Sequence, residues 1–190
     1  MTMTATDIIK RRRSIFPAMY TGEEISDDVI NEVLELAAYA PTHRLTQPWK
    51  FKVFTGGSLK KLSNYLGEYY KTHTPEDKYS EKKYQKTINK PLKSTHVIAI
   101  IMKRDEEQRV PEWEEIASVA MAVQNIWLGF TEKWIGCYWS SPKSMINAGK
   151  FLSLKPHERC LGMLYIGRPS LHPPMPPRDE MESRIEWIIS

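Results

Sequence analysis

The hydrophobic positions of this 190-residue chain fall first into helical spacing near the N-terminus. Thr6 to about Arg12 predicts a short helix, interrupted at Ser14 and Pro17. Ser26-Asp27-Asp28 then offers a capping side chain and two first-turn acids ahead of Val29, Ile30, Val33, Leu34 and Leu36. Ala40-Pro41 stops that helix, because the residue before a proline leaves the helical region. Thr42 to Pro48 is a polar loop. Trp49-Lys50-Phe51-Lys52-Val53-Phe54 alternates ring and charge, which predicts a strand with one face buried. Gly56-Gly57-Ser58 reads as a turn and cap for a helix striped by Leu59, Leu62, Leu66 and Tyr69.

From His73 to Lys93 the chain is rich in Lys, Glu and Tyr and poor in aliphatics, so a mobile helix or loop over the surface is expected. Thr95 to Lys103 encloses an unbroken apolar run, the pattern of a central strand buried on both faces. Glu112 to Lys133 predicts a long helix: Ile116, Ala120, Val123, Trp127 and Phe130 form one apolar face, and Ala117, Met121 and Gln124 form a second flank. Residues 134–142 read as a turn, a short extended piece and another turn. Met145 to Leu152 predicts a short helix, and Cys160 to Ile166 a third apolar strand closed by Gly167. Pro169, Pro173, Pro174, Pro176 and Pro177 then force an extended tail. Ile185-Glu186-Trp187-Ile188-Ile189 alternates as a further strand would, and an apolar end beyond such a tail needs a docking place, for which a partner subunit is natural. With no internal repeat and no boundary, the expectation is one α+β domain over residues 1–190, with residues 169–190 as its tail.

Composition narrows the class. A hydrophobic fraction of 41% and a charged fraction of 26% are those of an ordinary globular protein and exclude wholesale disorder. The longest wholly apolar run, Val97 to Met102, is far short of the roughly 20 residues of a membrane span, and no signal-peptide pattern precedes Lys10-Arg11-Arg12-Arg13. Cys137 and Cys160 make neither a disulfide framework nor a metal site, so a reducing, cytoplasmic setting is expected. The net charge of +4 is mild, gathered at Lys10–Arg13 and through Lys71–Lys93, and gives little support to a nucleic-acid partner. Six Trp and nine Tyr exceed what the core needs and suggest rings that pack on something else.

Phosphate loop, GxGxxG, HExxH, CxxC and Gly-x-Ser-x-Gly motifs are all absent. His43, His73, His96, His157 and His172 are scattered, and no metal site is expected. What remains is an ordered set: Arg12-Arg13-Ser14; Ala40-Pro41-Thr42-His43 with Gln47-Pro48-Trp49; Gly136 to Ser141 after the long Ala-rich helix; and Tyr165-Ile166-Gly167-Arg168-Pro169. Together these resemble the FMN-dependent nitroreductase family, and its short bacterial members most of all. The likeness spans nearly the whole chain in the expected order. It implies a three-layer α/β/α sandwich with a central mixed sheet and a C-terminal tail exchanged in a homodimer. It also implies FMN as cofactor, NADH or NADPH as electron donor, and a nitroaromatic, quinone or other small molecule as acceptor in a ping-pong hydride transfer. The cofactor carries the chemistry and no catalytic side chain is required. The cofactor-binding positions the resemblance carries over are Arg12, Arg13, Ser14, Pro41, His43, Tyr138, Trp139, Ser140 and Arg168, with His43 reaching the flavin across the dimer.

The residues suit that cofactor on their own terms. Arg12, Arg13 and Ser14 at a helix end offer charge-assisted donors to a phosphate, each worth roughly 1.5–3 kcal/mol net. Nanomolar retention takes about 12 kcal/mol, so the flavin ring must be buried as well, which the Pro-Trp and Tyr-Trp segments would do. Read singly, the arginines are also a solvated helix end, His43 a surface loop histidine and Trp139 plain core. Three departures stand out. Phe16 occupies a position where family members commonly carry a basic residue near the flavin's anionic edge. Tyr39 replaces a basic residue before Ala-Pro, and Cys137-Tyr138-Trp139-Ser140 replaces a Gly-Ile-Trp-Arg type segment. Phe16 therefore leaves open a flavin carrier or sensor without turnover, and the basic, aromatic composition leaves open a nucleic-acid binder.

Overall fold

The computed structural model describes residues 3–189. Four strands, β1 (Trp49–Thr55), β2 (His96–Lys103), β3 (Gly136–Ser140) and β4 (Glu158–Gly167), make one sheet in the order β1-β2-β4-β3. The helices are α1 (Ala5–Arg11), α2 (Asp27–Glu35), α3 (Gly57–His73), α4 (Glu81–Leu92), α5 (Glu112–Glu132) and α6 (Lys143–Ile146). The unbroken apolar run of β2 is explained by its place: helices cover both sheet faces. Ile98, Ile100 and Met102 meet α2 and α5 on one face, while Val97 and Ala99 meet α3 and the α6 region on the other. Among the described residues no helix is long and apolar enough to cross a membrane.

The sheet departs from the mixed one expected: every pairing within it is antiparallel. The reason lies in the connections. α3 and α4 form a helical hairpin that returns the chain to the end of the sheet where β1 stopped, so β2 must run back beside it. The single helix α5 carries the chain across to β3, and β4 then inserts between β2 and β3, opposed to both. Its register shifts by one residue beside Ile100, at Gly162, whose φ of +126° a side chain would strain and whose added Cβ would meet the Ser140 carbonyl.

The charged stretch before β2 is ordered helix rather than a mobile segment. Tyr84, Ile88 and Pro91, at steps of four and three, form a stripe hidden among the lysines, and it lies on α3 where Gly67 leaves room: a Cβ there would sit 2.7 Å from Ile88. Ser63 Oγ donates to the Ile88 carbonyl at 2.7 Å, and Ser80 caps the helix start. The cap of α3 is Gly56, with Ser58 instead bonding back to Thr55. No strand forms over 185–189 within the chain: a short 3-10 turn, Glu182–Arg184, precedes Trp187, Ile188 and Ile189, which are 83, 93 and 87% exposed.

Candidate active site

The segment after α1 runs along the outer edge of β3. Ile15 N–H donates to the Cys137 carbonyl at 3.0 Å, giving the edge strand a partial neighbour. Tyr20 fixes the far end of the segment. Its hydroxyl lies 2.8 Å from the Ile15 carbonyl and 2.9 Å from the Tyr165 carbonyl, and its ring covers Gly136 and Gly167. Burial first, then Cys137 and Tyr165 nearby, push this phenol well above its ordinary pKa, so it remains a neutral donor. Met19–Thr21 also bonds to Arg168 and Ser170, which pins the start of the tail.

This path separates the candidate residues to two sides of the sheet edge. Arg12 lies toward α5, with its guanidinium carbon 4.8 Å from the Trp127 ring centre. Its pKa is lowered by burial first, then by Arg178 and Arg13. Arg178 belongs to the tail, and neither it nor Arg12 forms an ion pair among the described residues. Two like charges near one another without a carboxylate are what a phosphate would neutralise. Phe16 lies toward α4, its ring centre 4.4 Å from that of Tyr138. The two rings wall a cavity of about 540 Å³ that Pro17, Met19, Lys86 and Lys90 also line. The Lys90 ammonium is 5.6 Å from the Tyr138 ring centre, and burial, then Lys86, lowers its pKa.

Other expected site residues are engaged elsewhere. Arg13 turns back to cap α1, donating to the Lys10 and Arg12 carbonyls. Arg168 donates to the Lys133 carbonyl at the end of α5 and lies 3.6 Å from Glu23. Trp139 packs into the α5-side core and donates to the Leu161 carbonyl; Ser140 closes β3 half-buried, and Ser14 is exposed. Pro41 and His43 are exposed, and His43 Nδ1 donates to Glu114 at 2.6 Å, in the first turn of α5. Trp127, beside Arg12, is about 20 Å further along that helix at about 1.5 Å per residue. Within one chain His43 and Arg12 therefore stand apart. Sequence reading did not single out Lys90, one lysine in a charged run, or Arg178, whose charge on the tail is felt at Arg12.

Residues 9–168 match the nitroreductase family model. The chain belongs to the nitroreductase family, a family of oxidoreductases. It is 29% identical over 181 residues to the Bacillus subtilis (strain 168) protein named "Putative NAD(P)H nitroreductase YfhC", covering 94% of this chain and 91% of that one. A nitroreductase-like family protein from Bacillus cereus, solved by crystallography, superposes with a TM-score of 0.85 at 27% identity, over 100% of this chain and 99% of that one. A Desulfovibrio desulfuricans chain crystallised "in complex with fmn" shares the fold at a TM-score of 0.74 and 22% identity, with 100% of each chain covered.

Proposed function

We propose that the chain is an FMN-dependent NAD(P)H oxidoreductase that reduces nitroaromatics, quinones or similar small acceptors by a ping-pong reaction, donor and acceptor using one place in turn. The observation that carries this reading is the paired arrangement at the β3 edge: two arginines without a carboxylate on one side, and on the other an aromatic-walled cavity with a half-buried lysine. Both halves fit the cofactor. Arg12 and Arg178 would hold its phosphate, with Ser14 able to add a hydroxyl donor. Phe16 and Tyr138 would cover its ring, with the Trp139 and Ser140 backbone shaping the strand beneath. FMN, when bound, supplies the two-electron hydride chemistry that no side chain here can supply. Lys90 removes the main reason to favour a carrier without turnover, because it brings to the Phe16–Tyr138 pair the positive charge that position 16 lacks.

The site is completed by a second copy in this reading. Pro41 and His43, some 20 Å from Arg12 along α5, would serve the partner's cofactor, and the exposed Trp187-Ile188-Ile189 end would dock on the partner. Arg13 and Arg168 act structurally, as caps of helix ends. The test is the visible spectrum after incubation with FMN, followed by anaerobic mixing with NADH or NADPH and then a quinone. A flavin spectrum that bleaches with a nicotinamide donor and returns with the quinone is the expected result. A protein that takes up no FMN, or holds it without bleaching, overturns the reading.

A further inference from the structure

The lysines of α4 sort by what they face. Lys86 and Lys90, one turn apart, and Lys93 just past the helix end point along one line into the cavity walled by Phe16, Pro17, Met19 and Tyr138. Neighbours at that spacing stand side by side on a helix surface. None of the three forms an ion pair among the described residues, whereas Lys50, Lys71 and Lys133 do, and the cavity lining contains no Asp or Glu. The cavity thus combines a flat apolar wall with one that carries three lysines, two neutral amides (Gln85 and Asn89) and no acid. With Phe16 and Tyr138 covering the cofactor ring, the open side of the cavity is left to the acceptor, and a planar anion there meets the ammonium groups with its charge.

The two nearer lysines are not equivalent. Lys90 is half-buried and sits over Tyr138, while Lys86 is exposed at the outer end of the same wall. Burial and the neighbouring Lys86 both depress the Lys90 pKa, so an anion between them relieves a repulsion that is already present. We propose that Lys86 selects electron acceptors bearing a carboxylate on a planar aromatic ring over neutral acceptors of the same shape. This rests on the oxidoreductase reading above, with Lys90 committed to the cofactor and Lys86 to the acceptor.

The experiment compares 4-nitrobenzoate with 4-nitrobenzyl alcohol as acceptors for the FMN-loaded wild type, Lys86→Gln and Lys86→Arg. In parallel, benzoate and benzyl alcohol are titrated calorimetrically into the same proteins without any donor. An exposed ion pair against an apolar wall supports a preference of about fivefold. The ratio of kcat/KM values, nitrobenzoate over nitrobenzyl alcohol, should fall by about that factor in Lys86→Gln and recover in Lys86→Arg. Benzoate affinity should follow, and the preference should shrink at high salt. An unchanged ratio in Lys86→Gln overturns the proposal. So does an effect confined to the KM for NADH or NADPH, which would assign the lysine to the donor's phosphates. A protein that takes up no FMN sinks the oxidoreductase reading and this proposal with it; in an FMN-loaded protein that turns over, an unchanged ratio, or benzoate binding that survives Lys86→Gln, overturns the proposal alone.

Discussion

Tyr20 joins the segment carrying Arg12 and Phe16 to the sheet, and it allows the join to be weighed. Tyr20→Phe keeps the ring and removes the hydroxyl, leaving the Ile15 and Tyr165 carbonyls short of a donor now 2.8 and 2.9 Å away. Leaving such buried acceptors unpaired should cost about 1–3 kcal/mol. Gly167→Ala acts on the ring instead: the new Cβ would lie 2.6 Å from Tyr20 Cγ, with the ring held in place by its hydroxyl. Overpacking of this kind should cost about 1–3 kcal/mol. The decisive comparison is a double-mutant cycle with Tyr20→Ala, which alone should cost about 3–5 kcal/mol. With the ring gone, the new Cβ meets only the retained Cβ of residue 20, at 3.1 Å, so Gly167→Ala should cost under about 1 kcal/mol, a coupling that is most of its original effect. Urea unfolding with an unchanged m-value measures each corner. If the two substitutions add to within about 0.5 kcal/mol, the ring does not clamp the segment as described.

Three further results are expected. Arg12→Ala and Arg178→Ala should each raise the FMN dissociation constant by about tenfold to a hundredfold, for the loss of about 1.5–3 kcal/mol of charge-assisted bonding; equilibrium dialysis checks this, and an effect from Arg12 alone removes the tail from the site. Lys90→Gln should make the bound flavin harder to reduce, seen as a more negative midpoint potential in a dye-linked titration, and an unchanged potential would free Lys90 from that role. Arg109, through its side chain and then its backbone N–H, holds the Asp105 carboxyl down to about 2 from an ordinary 3.8. A depressed folded-state pKa stabilises above the ordinary value and is lost as pH falls, here from about 4 through about 2. Arg109→Gln should return Asp105 towards 3.8, and a carboxyl NMR titration that stays near 2 would contradict the assignment.

How much of this was legible beforehand depended on whether local pattern or tertiary path decided each feature. β2 and α5 announce themselves, because a strand covered on both faces and a helix buried nearly all round leave no polar face to blur the signal. α4 hides, since a stripe of only Tyr84, Ile88 and Pro91 suffices to seat it and its other faces are lysine. Strand direction is invisible in periodicity. It follows from α3 and α4 pairing as a hairpin, and so the antiparallel sheet could not be read from the residues. In the site, the Arg12-Arg13-Ser14 triplet was visible as a unit, but its side chains part: one guanidinium sits over Trp127 and the next folds back on α1. Arg178 and Arg12 are far apart in sequence, and only the course of the tail lets the charge of one act on the other. Phe16 looked like a missing charge, and the ammonium beside it comes from a different element.

The Arg12–Arg178 pair has a practical consequence for handling the protein. If Arg12 and Arg178 hold the cofactor phosphate as proposed, a site whose two guanidiniums have no ion-pair partner among the described residues will also accept ordinary buffer anions, phosphate above all. An anion that binds only the folded form stabilises it by RT ln(1 + [L]/Kd), about 2.7 kcal/mol at a hundredfold excess over Kd. One of the two arginines is carried on the proline-rich tail, so in that reading the same anion would draw the tail onto the body of the molecule. Thermal stability, protease resistance beyond Pro177 and the apparent affinity for FMN then all become functions of what the protein was purified in. A preparation in phosphate would look sturdier and bind its cofactor less tightly than the same chain in a buffer without oxyanions.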